Sequence, residues 1–204
     1  MAMTPPSCWP DHNVPIIMDA SAVINLNGTG VAREILSALR HDMVVAEEVI
    51  YELEDGTRNG RRDAARLEEL IAAGLVRRAL LGEAGKPIFE QLTIGASVET
   101  LEDGEAATIA LAVELSGAAI VDESKGRRIC ELRQLNVPLI TSVEMLAHAD
   151  VQADLGDRLA VAVFAALTQA RMQVLPQYQG WVIELLGGER AALCTSLPRR
   201  LRGS

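Results

Sequence analysis

The stretch LEDGEAATIALAVELSGAAIVDESKGRRI, residues 101–129, decides the fold. An acidic turn leads into small and apolar residues in which Ile109, Ala112 and Val113 recur at helical spacing, so a helix is expected from Asp103, as its N-cap, to about Ser116. Gly117 stops it. Ala118-Ala119-Ile120-Val121 is apolar without alternation, the pattern of a strand covered on both faces, and it ends in Asp122 and Glu123. A basic-to-apolar helix then follows over 124–135, stopped by Asn136. Helix, buried strand and helix in succession imply a parallel sheet, because parallel strands need long crossovers and helices usually supply them.

The same alternation extends in both directions. Upstream, Pro15-Ile16-Ile17-Met18 is a short apolar strand that ends in Asp19, and Met43-Val44-Val45-Ala46 is a second. Helices are expected over 31–41, over 47–54 with Val49, Ile50 and Leu53 facing the core, and over 61–73 with Gly74 as a left-handed cap. A turn is expected over 55–60, a strand over 75–81 and a short helix over 88–92. Downstream, Val137-Pro138-Leu139-Ile140 forms a further strand, after which Thr141 and Glu144 have the spacing of a capping box. The unit closes near residue 149. Beyond it, 150–204 read as a helical extension: an Ala-rich helix over 158–172, Pro176, an apolar segment over 181–186 and an Arg-rich end at Arg199, Arg200 and Arg202.

Composition limits the function. The 204 residues are 49% hydrophobic and only 3% aromatic, which suits a layered core of Ala, Val, Leu and Ile. A net charge of −9 argues against a general polyanion binder, since phosphate affinity comes mainly from Lys and Arg, yet a carboxylate site for divalent cations is acidic by nature. Cys8, Cys130 and Cys194 have no metal or disulfide spacing and read as reduced thiols of a cytoplasmic protein. No signal peptide and no membrane span are expected. His12, His41 and His148 are far apart and receive no role, and Trp9 and Trp181 make no stacking series.

In open parallel sheets ligands bind beyond the carboxyl ends of the strands. Asp19 and Asp122 fall at two such ends, and Glu52, Glu105 and Glu123 can join them in one acidic pocket. Clustered carboxylates repel unless a hard cation sits among them, and such a site suits attack of water on a phosphodiester. Taken singly, Glu105 also favours a helix start electrostatically, and Glu52 fits a solvated helix face. Acids directly after apolar strands are costly anywhere except at an exposed sheet end.

The stretches IIMDASAVINL (16–26), VVAEEVIYELE (44–54) and 101–129 resemble, in order and spacing, the motifs of PIN (PilT N-terminus) domains, the fold of the VapC-type toxin ribonucleases. The resemblance covers about 14–149 and implies a three-layer α/β/α sandwich with a central parallel sheet. It also implies a Mg²⁺- or Mn²⁺-dependent endoribonuclease of single-stranded RNA whose products carry 5′-phosphate and 3′-hydroxyl ends. On this resemblance Asp19, Glu52, Glu105 and Asp122 are the catalytic acids, Asp19, Glu105, Asp122 and Glu123 the metal ligands, and Ser21 a support for Asp19. Asp122 is placed ahead of Glu123 as the inward acid. A protein antitoxin and a homodimer are the partners it implies. Ala46 stands where the family often has Pro, and Glu123 where it often has a second Asp.

Lys125, Arg127 and Arg128 are the leading RNA-binding candidates because they follow the acidic pair. Arg61, Arg62 and Arg66, and the terminal arginines, are weaker ones, since exposed charge is the default for any helix face. Two other functions compete. A non-catalytic PIN scaffold would use the helical extension as an interface. An aspartate-based phosphatase would use Asp19 as nucleophile, but Ser21 stands where such enzymes carry a second Asp.

Overall fold

The computed structural model describes residues 9–57 and 60–198. In chain order, the elements are Ile16–Met18 (β1), Ala20–Gly28 (α1), Ala32–Leu39 (α2), Met43–Ala46 (β2), Glu47–Thr57 (α3), Asp63–Ala72 (α4), Arg77–Ala79 (β3) and Lys86–Thr93 (α5). They continue with Asp103–Glu114 (α6), Ala118–Ile120 (β4), Ser124–Leu132 (α7), Leu139–Ile140 (β5), Ser142–Leu146 (α8), Ala149–Leu155 (α9), Arg158–Ala165 (α10) and Gln179–Leu193 (α11). All strand pairings are parallel, in the order β3-β2-β1-β4-β5. The sheet is a doubly wound one flanked by helices. Its winding reverses between β1 and β4, where Met18 pairs with Ile120.

Burial explains the strand sequences. Every residue of β1, β2 and β4 is buried, so each strand is apolar throughout rather than alternating. Each fully buried aliphatic side chain here, such as Ile17 or Ile120, stabilises the fold by about 1.5–3 kcal/mol. The Ala-rich helix α6 buries residues on nearly every side and packs on β1, α3 and α5, the expected location for a helix apolar all round. Capping follows the sequence in places: Thr141 Oγ1 accepts from Glu144 N at 3.1 Å, and Glu144 Oε2 accepts from Thr141 N at 2.9 Å, completing the capping box. Gly74, at φ +70°, follows α4 as its left-handed cap.

Several boundaries differ from the sequence expectation. Glu102, not Asp103, is the N-cap of α6, and no side chain caps that end. Helix α3 runs through the expected turn to Thr57, while Arg58 and Asn59 lie outside the described residues. Helix α7 stops at Leu132, because Gln134 takes a left-handed φ of +55° ahead of Asn136. The Ala-rich helix of the extension becomes a π-helical turn at Ala166–Ala170 and ends at Arg171, and α11 is broken at Gly187 (φ 73°, ψ 160°). Leu159, Val163, Leu167, Trp181 and Val182 belong to the same continuous apolar core as the sheet. Among the described residues no helix is long and apolar enough to cross a membrane.

Candidate functional site

Asp19 leaves β1 directly at the start of α1 and serves as its N-cap, its Oδ1 accepting from Ala22 N at 2.6 Å. Ser21 Oγ reaches both carboxylate oxygens, at 2.9 and 3.0 Å. One side chain thus closes a helix end and is locked in a single orientation. Asp19 is only 5% exposed, and its pKa lies well above the ordinary carboxylate range, chiefly through burial and then through the negative charge of Asp122.

Asp122 stands one residue past the matching point on β4 and is 3% exposed. Its Oδ1 accepts from Ser142 N at 2.8 Å, and its Oδ2 from Asn25 Nδ2 at 2.8 Å and Ser142 Oγ at 2.5 Å. Burial raises its pKa, and the donors from Ser142 and Asn25, with Arg127, oppose the rise. Asn25 lies one helical turn beyond Ser21 on α1, so a single helix steadies both strand-end aspartates.

The pocket itself, of about 100 Å³, is lined by Asp19, Ser21, Glu52, Glu102, Glu105, Glu123 and Lys125. Asp122 lines the adjoining cleft. The more buried acid of the pair 122–123 is therefore Asp122, while the one that faces the acidic pocket is Glu123. Glu105 is pushed up to about 7, first by burial and then by Glu123, and its Oε1 is buried with no hydrogen-bond partner. Glu52 is raised by burial and by Glu102 and Glu123. Two glycines make room for these side chains: a Cβ at Gly104 would overlap Glu52 Oε2, and one at Gly126 would overlap Glu105 Oε1. The glycine of the 124–129 segment is thus explained by the glutamate it admits.

Could these residues hold a divalent cation? The donors are all carboxylate oxygens, as a hard cation requires, and the partnerless oxygen of Glu105 points to a missing positive charge. Among the described residues, however, no three acidic side chains are drawn together tightly enough to grip an ion in this arrangement. The chemistry of the donors therefore fits a hard cation.

The basic candidates separate. Lys125 faces the pocket and opposes the rise of Glu105. Arg127 turns inward, its Nε donating to Val121 O at 3.1 Å and its Nη1 to Leu139 O at 3.2 Å, so it ties the ends of β4 and β5 together. Arg128 reaches Val98 O at 2.8 Å and anchors the loop before α6. Arg199, Arg200 and Arg202, like Cys8, lie outside the described residues. Cys130 and Cys194 are buried free thiols.

A family model described as a PIN domain matches residues 15–187. The chain belongs to the PIN-domain family. No curated protein matches it. The match runs past residue 149, so in this PIN domain it takes in α9, α10 and the first part of α11. PIN domains are generally nucleases, and they typically use divalent metal ions. Sequence reasoning overlooked Asn25 and Ser142, which hold Asp122. The spacing of Asn25 from Ser21 along α1 could have signalled the first, whereas nothing local marks Ser142. It also overlooked that the three histidines meet: His41 and His148 both lie against the Trp9 ring, His12 against His41, and Trp9 Nε1 donates to His41 Nε2 at 3.0 Å.

Proposed function

We propose that this PIN domain is a metal-dependent endoribonuclease that hydrolyses phosphodiester bonds in single-stranded RNA, and that it is the toxin of a toxin–antitoxin pair. The observation that carries the nuclease part is the partnerless, buried oxygen of Glu105 beside Asp19, at the point where the sheet reverses its winding. Asp19, Glu105 and Glu123 would hold Mg²⁺ or Mn²⁺, with Glu52 at the rim and Asp122 behind. A bound ion supplies charge neutralisation at the phosphate and a more acidic water. Asp19, fixed by Ser21 and the Ala22 amide, would present its carboxylate to the ion in one orientation. In the metal-free chain Glu105 is pushed up to about 7 by burial and by Glu123, so it would give up a proton near neutral pH to a cation entering the pocket. Lys125 offers a positive charge to a phosphate at the pocket mouth.

A non-catalytic scaffold is the second reading, favoured by the absence of a tight three-acid cluster among the described residues. Cleavage of a labelled single-stranded RNA pool, in Mg²⁺ or Mn²⁺, in chelator, and by Asp19→Asn, separates the two. Metal-dependent cutting lost in the variant supports the nuclease, and no cutting together with no metal uptake supports the scaffold. Growth arrest on expression of the chain alone, relieved by a co-expressed neighbouring gene product, tests the toxin and antitoxin. Light scattering tests the homodimer.

A further inference from the structure

The acidic pocket continues into a row of arginines to which the C-terminal extension contributes. Ser21 and Glu123 line both the pocket and a neighbouring cleft of about 180 Å³, which Asp122, Arg61 and Arg171 also line. Arg61 in turn lines a third cleft, of about 250 Å³, together with Arg62, Arg66 and one acid, Asp63, whose carboxylate accepts from Asn27. Arg61, Arg62 and Arg171 are exposed, and among the described residues no carboxylate lies within ion-pair distance of them. In a chain of net charge −9, three exposed guanidiniums without a carboxylate partner along one path stand against the overall charge.

Arg171 is placed by the backbone. The π-helical turn Ala166–Ala170 ends on it with φ +57° and ψ +36°, a left-handed conformation uncommon for a residue other than glycine. Met172, buried to 1% exposure, closes that turn with a hydrogen bond from its N to Ala166 O at 3.1 Å. The turn lies against α1, where a Cβ added to Gly28 would come within 2.7 Å of the Ala170 methyl group. Departures of this kind from regular helix geometry often re-aim a side chain. Here they bring an arginine from the extension beside the helix that Asp19 caps.

Resting on the nuclease reading above, we propose that Arg61, Arg62, Arg66 and Arg171 form a phosphate track along which single-stranded RNA enters the acidic pocket, with the C-terminal extension supplying one wall. Guanidinium forks match phosphate oxygens in pairs, and the three clefts are lined by no aromatic side chain. Bases therefore find no stacking platform, and the track holds the backbone without reading sequence.

The test uses full-length Asp19→Asn protein in Mg²⁺, titrated with fluorescein-labelled oligouridylate and with a mixed-sequence RNA of equal length over a salt series. Adding Arg61→Ala and Arg171→Ala should weaken both RNAs by about tenfold and flatten the salt dependence by about 0.7 in log–log slope per arginine removed. Arg133→Ala, at the far end of α7, should change neither. Unaltered affinity and slope in the double variant would overturn the track, while metal-dependent cutting by wild type would leave the nuclease standing. Competition by polyglutamate as strong as by RNA would make the row a seat for an acidic protein segment and overturn the strand assignment. No RNA binding and no cutting would overturn both proposals.

Discussion

The two ends of the sheet collect ionisable side chains in opposite ways. At the amino end, Trp9 donates to His41, His41 Nδ1 lies 3.3 Å from Val14 O, and His148 accepts from Asp150 N. These groups use one another's hydrogen-bonding capacity. At the carboxyl end, Asp19, Glu52, Glu105 and Glu123 repel one another, and an oxygen of Glu105 and one of nearby Glu48 are left buried without a partner. A polar cluster that satisfies itself fastens a fold, whereas one that does not requires something from outside. On the function proposed above, the carboxyl end is the working one, although it is the amino end that gathers the histidines.

The sharpest way to break this comparison is Asp19→Asn, expected to lower metal-dependent RNA cleavage by more than about 100-fold with the far-ultraviolet circular dichroism unchanged. His41→Gln should leave cleavage as it was, and the reverse pattern would exchange the roles of the two ends. Next in size is a pH effect on stability. Glu105 holds its proton more tightly in the folded chain, so the metal-free protein loses stability as pH rises from 4.5 through about 7. By pH 8 that cost is about 3 kcal/mol, and Glu105→Gln should recover most of it in urea melts while matching wild type below pH 4.5. Equal curves at pH 8 would show that Glu105 is not strained.

Gly126→Ala should move the Glu105 carboxylate aside and cut cleavage by about tenfold, at a stability cost of about 1 kcal/mol or less. Wild-type rates in that variant would remove Glu105 from the site. The smallest effect belongs to the other end. Burial lowers the pKa of both His41 and His148, so the unfolded chain takes up their protons first and acidification below 6.5 destabilises this end. The sign is opposite to that of Glu105. Trp9→Phe should cost about 1 kcal/mol near neutral pH, and in a Trp181→Phe background the fluorescence of Trp9 should shift as pH falls through the histidine range.

Much of the fold was legible because the strands are buried on both faces: β1, β2 and β4 stand out as apolar runs ended by an acid or a helix start, and their acids fall where parallel sheets form sites. Helix ends were less legible. The stop at Leu132 depends on a left-handed Gln134, and the cap of α6 falls on Glu102, neither of which has a strong local signature. Within the site, the acids could be found, but which of Asp122 and Glu123 faces the pocket depends on Asn25 and Ser142, distant in sequence from that pair. The histidines were invisible for the same reason, since His12, His41 and His148 meet only through tertiary packing around Trp9.

The strand order β3-β2-β1-β4-β5 also governs when the site can exist. Strand β1 must wait, with one edge open, for a partner about one hundred residues later, because Met18 pairs with Ile120. Asp122 is then secured only when Ser142 arrives, and Arg171 later still. A nascent chain on the ribosome therefore carries Asp19 through about one hundred further residues without the neighbours that would give it chemistry. Any activity is delayed until β4 and Ser142 have been made, and a prematurely terminated product that stops before β4 lacks the paired strand ends.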